Sequence, residues 1–316
     1  MKETLSGKRV LFVTGKGGVG KSILSAALGL SFRRAGHWPL LVEFYPDKRL
    51  GNIFNIKAQP YQETAIEKDF TYINISPADA LAEYIRRQLV LDVISKFVIN
   101  TKFYRHFSST APGLKELVAV GKLYDLEKKR DDEGTSLYDP IIVDAPQLGK
   151  FVPFIRTPRS VMDMFRIGPV RKEAEKVNGL ILSNRCSVIM VSTPDEMAIT
   201  EALEAKKELS SMSKPALSAI VVNMAVSNRI SITDTGYYGT RLQEIAGNQA
   251  TRDGIMDAVK MFMTYATMEK KAVRGLYDAV QDIPVLTLPF IGMDDDELSI
   301  AESLSAHFDP LITGAP

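Results

Sequence analysis

The chain of 316 residues has one cysteine, one tryptophan and three histidines, and its 39 basic residues nearly balance 38 acidic ones. A single cysteine, Cys186, excludes a disulfide within the chain and any Cys-x-x-Cys metal clip. It heads the apolar run Ser187-Val-Ile-Met-Val191, which predicts a buried, inert thiol. His37, His106 and His307 are too widely separated to read as a metal site. A net charge of +1 gives no electrostatic reason to expect nucleic acid. The basic cluster Lys128-Lys129-Arg130 runs straight into Asp131 and Asp132 and reads as solvated surface. Apolar runs such as Val188–Val191 fall far short of the ~20 residues needed to cross a bilayer, so no integral membrane segment is expected. No apolar stretch precedes the first strand, which predicts no signal peptide and a cytoplasmic location.

What is present points to an α/β protein. At 45% hydrophobic and 24% charged residues, the composition is that of a globular protein. Short, almost uninterrupted apolar runs recur at Val10–Val13, Leu40–Val42, Ile141–Val143, Val188–Val191, Ala219–Val222 and Val285–Leu288. Strands buried on both faces read this way, as in parallel sheets. Helical segments lie between them, including Ser22–Ala35, Ala198–Ser210 and Glu297–His307. The alternation predicts a doubly wound, mostly parallel sheet, which binds ligands beyond the carboxyl ends of its strands. Two stretches break the alternation and are expected as helical insertions in a single domain, 1–316. They are about 61–134, with a brief strand candidate at Thr71–Ile75, and about 227–279. The acids from Asp294 to Glu297 are placed to cap the last helix.

The stretch Val13-Thr-Gly-Lys-Gly-Gly-Val-Gly-Lys-Ser22 fits two phosphate-binding patterns. Gly15, Gly17 and Gly20 fit G-x-G-x-x-G, and Glu43 ends the second strand near the place of a ribose-binding acid. Gly15 to Ser22 also fit the P-loop, G-x-x-x-x-G-K-[ST]. The P-loop reading accounts for more residues. Glycines let backbone N–H groups turn around phosphate oxygens, Lys21 supplies charge to the β- and γ-phosphates, and the Ser22 hydroxyl can ligate Mg²⁺. Asp144, closing Ile141-Ile-Val-Asp144, has the position of the acid that holds magnesium through water. A nucleoside triphosphate with Mg²⁺ is the expected ligand. A dinucleotide oxidoreductase is the competing reading, separable by whether ATP–Mg²⁺ or NAD raises thermal stability.

With Lys16 beside Lys21, the loop resembles the deviant Walker A, K-G-G-x-G-K-[ST], of the MinD, ParA, nitrogenase iron protein and arsenite-pump ATPases. Val143-Asp-Ala-Pro-Gln-Leu-Gly-Lys150 resembles the switch II, D-x-A-P-T-G-H, of the ArsA/Get family, which comprises arsenite-pump ATPases and tail-anchored protein targeting factors. Thr157-Pro-Arg-Ser160, Ile167-Gly-Pro-Val170 and Val191-Ser-Thr-Pro-Asp-Glu-Met197 resemble bacterial ArsA-related ATPases in the same order. Val221-Val-Asn223 and Leu288-Pro-Phe290 resemble the family's adenine-reading strand and base-lining loop.

The resemblance implies a SIMIBI-type P-loop fold binding ATP and Mg²⁺. Gly15, Gly17, Gly18, Val19, Gly20, Lys21, Ser22 and Ile23 would wrap the phosphates. Ser22 and, through water, Asp144 would hold magnesium. Asn223, Pro289 and Phe290 would meet the adenine. Lys16 would reach across a dimer interface to the partner's nucleotide, as an arginine finger does. The partner would be a second copy or a related subunit, and a further protein partner or client is expected.

Switch I departs from the family. Its pattern resembles D-P-A-x-x-L-S-D-x-F, whereas this chain reads Glu43-Phe-Tyr-Pro-Asp-Lys-Arg-Leu-Gly-Asn-Ile-Phe54. Anchoring on Pro46, Leu50 and Phe54 puts Tyr45 at the first aspartate and Asn52 at the one that orients the attacking water. An asparagine is a far poorer proton acceptor, and losing a positioned acid–base group costs on the order of 10²–10⁴-fold. Slow or partner-stimulated hydrolysis is expected, with Glu43 and Asp47 as the nearby carboxylates that would substitute. The alternative is an ATP-binding interaction module that does not hydrolyse.

Arsenite pumps of the family hold metalloid through clustered cysteines, and one cysteine disfavours that cargo. A client groove would need apolar stripes. Candidates are Leu81, Tyr84, Ile85 and Leu89 with Leu91, Ile94 and Val98; Met162, Met164 and Phe165; and Met256, Met261, Phe262 and Met263. The simpler reading packs these stripes on the sheet.

Overall fold

The computed structural model describes residues 5–57, 59–88, 113–212, 215–226, 249–292 and 296–313. Eight strands form one sheet: β1 (Val10–Gly15), β2 (Leu40–Phe44), β3 (Thr64–Glu67), β4 (Phe70–Ile75), β5 (Ile141–Asp144), β6 (Cys186–Ser192), β7 (Ala216–Ala225) and β8 (Val285–Pro289). Their order is β3-β4-β2-β5-β1-β6-β7-β8. Every pairing is parallel except that of β3 with β4. The expected doubly wound α/β fold is therefore present.

The apolar runs have a direct cause. Along β1, Val10 and Phe12 enter one core while Leu11 and Val13 enter the other, and β2 and β5 alternate in the same way. Both faces are covered, so both sets of alternate positions are mostly apolar. One face packs α3 (Pro77–Gln88), α4 (Leu114–Lys128), α5 (Leu148–Met164), α6 (Pro169–Ile181) and α7 (Glu196–Ser211), with the C-terminal part of α8 (Gln249–Ala279). The other packs α1 (Lys21–Arg34), α2 (Arg49–Ile53), α9 (Glu297–Ser305) and α10 (Asp309–Thr313).

The stretch 61–134, expected as a helical insertion, begins with two strands of the main sheet. β4 matches the Thr71–Ile75 candidate and pairs with β2. β3 is not predicted by the sequence, because a four-residue edge strand with half-exposed side chains carries too short a pattern. Residues 89–112 and 227–248 lie outside the described residues. Beyond the latter, α8 is helical as expected over 31 residues. Cys186 is buried at the start of β6, and burial pushes its thiol up to about 12. Among the described residues no helix is long and apolar enough to cross a membrane.

The apolar stripes divide. Leu81 is buried, and Tyr84, Ile85, Met162 and Phe165 pack against the core as the simpler reading expects. Met164, Met261 and Phe262 are exposed, and Met256 and Met263 are half-buried. Leu89, Leu91, Ile94 and Val98 lie outside the described residues, as does His106.

Candidate nucleotide-binding site

Central strand β1 ends at Gly15, where the chain turns through residues 16–20 into α1. Gly15 has to be glycine on packing grounds: a Cβ there would lie 2.2 Å from the Val191 carbonyl oxygen on β6. Gly18 and Gly20 have φ of 84° and 88°, the left-handed region that a Cβ disfavours. Gly20 stands at the N-cap of α1 with no capping side chain and no acid in the first turn. In contrast, α7 and α9 are capped by Asp195 and Asp296, which accept hydrogen bonds from their first-turn N–H groups. The N–H groups of Gly17, Gly18 and Gly20 donate to no acceptor among the described residues. An uncapped helix start behind a turn of free N–H groups fits an anion of phosphate type.

The side chains beside the loop fit a triphosphate and a hard cation. Lys21 Nζ donates to the Lys16 carbonyl oxygen at 3.1 Å, within the loop it would serve. Burial lowers its pKa, Asp144 and Asp47 raise it, and Arg49 lowers it. Ser22 Oγ donates to Asp144 Oδ2 at 2.5 Å, so β5 and α1 bring the two expected magnesium residues together. Burial raises the Asp144 carboxyl to about 6 against the pull of Ser22 and Lys21. Among the described residues no three His, Cys, Asp or Glu side chains cluster to hold a metal. A Mg²⁺ ion here would need nucleotide oxygens to complete its shell, which is how that ion is usually held.

A cavity of about 560 Å³ opens in front of Lys21 and Ser22. Asp144 and Gln147 close one side, and Tyr45, Asp47 and Arg49 from the segment after β2 close the other. Gln147 also approaches the loop, its Oε1 lying 3.1 Å from where a Cβ on Gly17 would stand. Val19 is buried beneath the loop, and Ile23 packs from the first turn of α1.

The remaining expected residues are scattered around this centre. Asn223, 4% exposed on β7, donates from Nδ2 to the Val19 carbonyl oxygen at 3.0 Å. Its amide braces the loop from behind. Pro289 ends β8 opposite Ala225, and the Phe290 N–H bonds the Ala225 carbonyl at 3.0 Å, which sets both beside the end of β7. Asn52 is exposed on α2 and does not line the cavity, whereas Tyr45, 46% exposed, does. Lys16 Nζ forms an ion pair with Glu201 Oε1 on α7 at 2.8 Å, both side chains 40% exposed. Sequence reasoning missed Glu201 and Gln147 as neighbours of the loop. Glu201 carries no local signal, because only the fold brings α7 to residue 16, whereas Gln147 lies within the stretch that resembles switch II.

Fold and loop together define a P-loop nucleoside triphosphatase of the doubly wound type. The chain matches the anion-transporting ATPase (ArsA ATPase) family over residues 8–306 and belongs to that family. It is 30% identical over 235 residues to ATPase BagA of Mycobacterium tuberculosis, covering 73% of this chain and 69% of that protein. A protein of Aquifex aeolicus, named as a candidate arsenical pump-driving ATPase 2, is 24% identical over 297 residues, 89% of this chain and 93% of its own. A candidate arsenical pump-driving ATPase of Halobacterium salinarum is 26% identical over 313 residues, 92% of this chain but 46% of its own length.

Proposed function

We propose that this protein binds and slowly hydrolyses ATP with Mg²⁺ as a single-domain, dimeric switch whose nucleotide state is read by a protein partner or client. Membership of an ATPase family and the names of its relatives support ATP binding and hydrolysis. The observation that carries the reading is the convergence of free loop N–H groups, Lys21 and the Ser22–Asp144 pair at one end of β1.

In this reading residues 15–23 hold the phosphates, and Ser22 with water-bridged Asp144 holds magnesium. Asn223, Pro289 and Phe290 border the adenine. Magnesium, when bound, neutralises charge on the β- and γ-oxygens. Lys16 has to exchange Glu201 for the partner's nucleotide. Exposed ion pairs hold by only about 0–1 kcal/mol, so dimerisation can supply that exchange. Low turnover in a lone protomer follows, because Lys16 is turned toward its own α7. The exposed Met261 and Phe262 on α8 support a client surface. Arsenite as cargo has little support from this chain, since its one thiol is buried and held far from ionisation.

Turnover per chain, measured against protein concentration beside sedimentation with and without ATP–Mg²⁺, tests the reading. A dimer that appears with ATP–Mg²⁺, and activity per chain that rises as it forms, are the expected results. A monomer with constant activity per chain would sink the dimeric switch. Tyr45 on the cavity wall and Asn52 away from it favour a second reading, ATP binding without hydrolysis. A dimer that forms and releases no phosphate would establish that one instead.

A further inference from the structure

The segment from Glu43 to Phe54 offers three candidates for the group that orients the attacking water: Asn52, Glu43 and Asp47. Asn52 lies on α2, exposed, outside the wall of the cavity in front of Lys21. Glu43 touches that cavity but is 1% exposed, and its oxygens are already engaged. Oε2 accepts the Leu50 N–H at 2.9 Å, and Oε1 accepts from the Tyr72 hydroxyl and from Asn74 Nδ2 at 3.2 Å. A carboxylate held this way anchors α2 to the sheet, and its burial leaves it little access to a water in the cavity.

Asp47 differs from both. It is exposed, it lines the cavity with Lys21, Ser22 and Asp144, and its charge acts on Lys21 and on Asp144. Its backbone is fixed independently of its side chain. The Asp47 N–H donates to the Phe44 carbonyl at 3.1 Å, and its carbonyl accepts from Asn74. Among the described residues the carboxylate has no hydrogen bond or ion pair, and it stands on a held turn that lines the same cavity as Lys21.

We propose that Asp47 is the catalytic carboxylate of this chain, taking the part that sequence alignment gives to Asn52. This rests on the ATPase reading above. The water oxygen bonds to the γ-phosphorus as the bond to the β–γ bridging oxygen breaks, and that electron pair leaves on ADP. One water proton passes to Asp47 and then to solvent, giving ADP, inorganic phosphate and one proton.

The test compares full-length wild type with Asp47→Asn, Asp47→Glu and Asn52→Ala. It follows melting temperature, ATP–Mg²⁺ affinity, turnover, and affinity for ADP–Mg²⁺ with aluminium fluoride, which mimics the transferring phosphoryl group. Asp47→Asn is expected to lower turnover by about 10²-fold or more and to lose tight capture of the fluoroaluminate complex. Its ATP–Mg²⁺ affinity should stay within about threefold of wild type, as for a group acting only in the transition state. Its melting temperature should not move, because the side chain is exposed. Asp47→Glu should recover part of the turnover, and Asn52→Ala should match wild type in all four measurements. Loss of turnover and capture in Asn52→Ala but not in Asp47→Asn overturns the assignment. So does equal loss of ATP affinity and turnover in Asp47→Asn, or wild type that binds ATP without turning it over. Wild type that fails to bind ATP–Mg²⁺ refutes the ATPase reading itself.

Discussion

Between Gly15 and Gly20 the backbone forms the site, whereas between Glu43 and Asp47 the side chains do. The two segments face each other across one cavity, yet they respond differently to sequence change. In the loop, a Cβ at Gly15 would collide with Val191 and one at Gly20 would come within 2.5 Å of Asn223 Nδ2. Geometry leaves those positions almost no alternatives. In the opposite wall, Tyr45, Asp47 and Arg49 are exposed and free of such clashes, so their identities can drift while the turn survives. Only Glu43 is locked, by Tyr72, Asn74 and the N–H groups of α2. Arg49 shows the freedom well: its charge reaches both Lys21 and Asp144, while its guanidinium pairs with Glu297 at 2.9 Å.

Lys16→Ala should give the largest effect, lowering turnover by about 10³-fold while ATP affinity is kept, if the lysine acts as an arginine finger does. Phosphate release close to wild type would confine Lys16 to its pairing with Glu201. Lys21→Met comes next, with ATP–Mg²⁺ affinity falling by about 10²-fold in calorimetry through loss of charge-assisted hydrogen bonds to phosphate. Unchanged affinity would move the nucleotide away from the loop altogether.

Glu43→Gln probes the opposite wall and should cost about 1–3 kcal/mol by unbalancing its buried hydrogen bonds. It carries a pH signature as well. Burial raises the Glu43 carboxyl above its ordinary value, against the hydrogen bonds from Tyr72, Leu50 and Gly51. A carboxyl raised on folding adds stability below its unfolded pKa and loses it as pH climbs through the folded value. Wild type should therefore lose stability relative to the glutamine variant as pH rises from about 4.5. Thermal melts that stay parallel across that range would contradict this account of Glu43.

The long buried strands were legible because each is buried at every position and carries an unbroken apolar run, the mark of a strand covered on both faces. β3 was not, since alternation over four edge residues is lost among loops of similar composition. Of the site, the loop residues, Ser22 and Asp144 could be named in advance because their motifs lie on consecutive residues or at a strand end. Asn52 was named by alignment with a family pattern and falls outside the cavity wall, while Asp47, five residues earlier, falls within it. A pattern fixes order along the chain but not which way a short helix turns its side chains.

Composition and motif by themselves determined an α/β sheet and a glycine-rich loop between its first strand and first helix, because these depend on local periodicity and residue type. The tertiary structure alone decided that Glu201 holds Lys16, that Asn223 braces Val19, and that Glu43 is spent on anchoring α2. Those pairs are separated by as many as 204 residues, and a contact between distant residues leaves no trace in either one's local sequence. It exists only because parallel strands deliver their carboxyl ends, and the loops that follow them, to the same edge of the sheet.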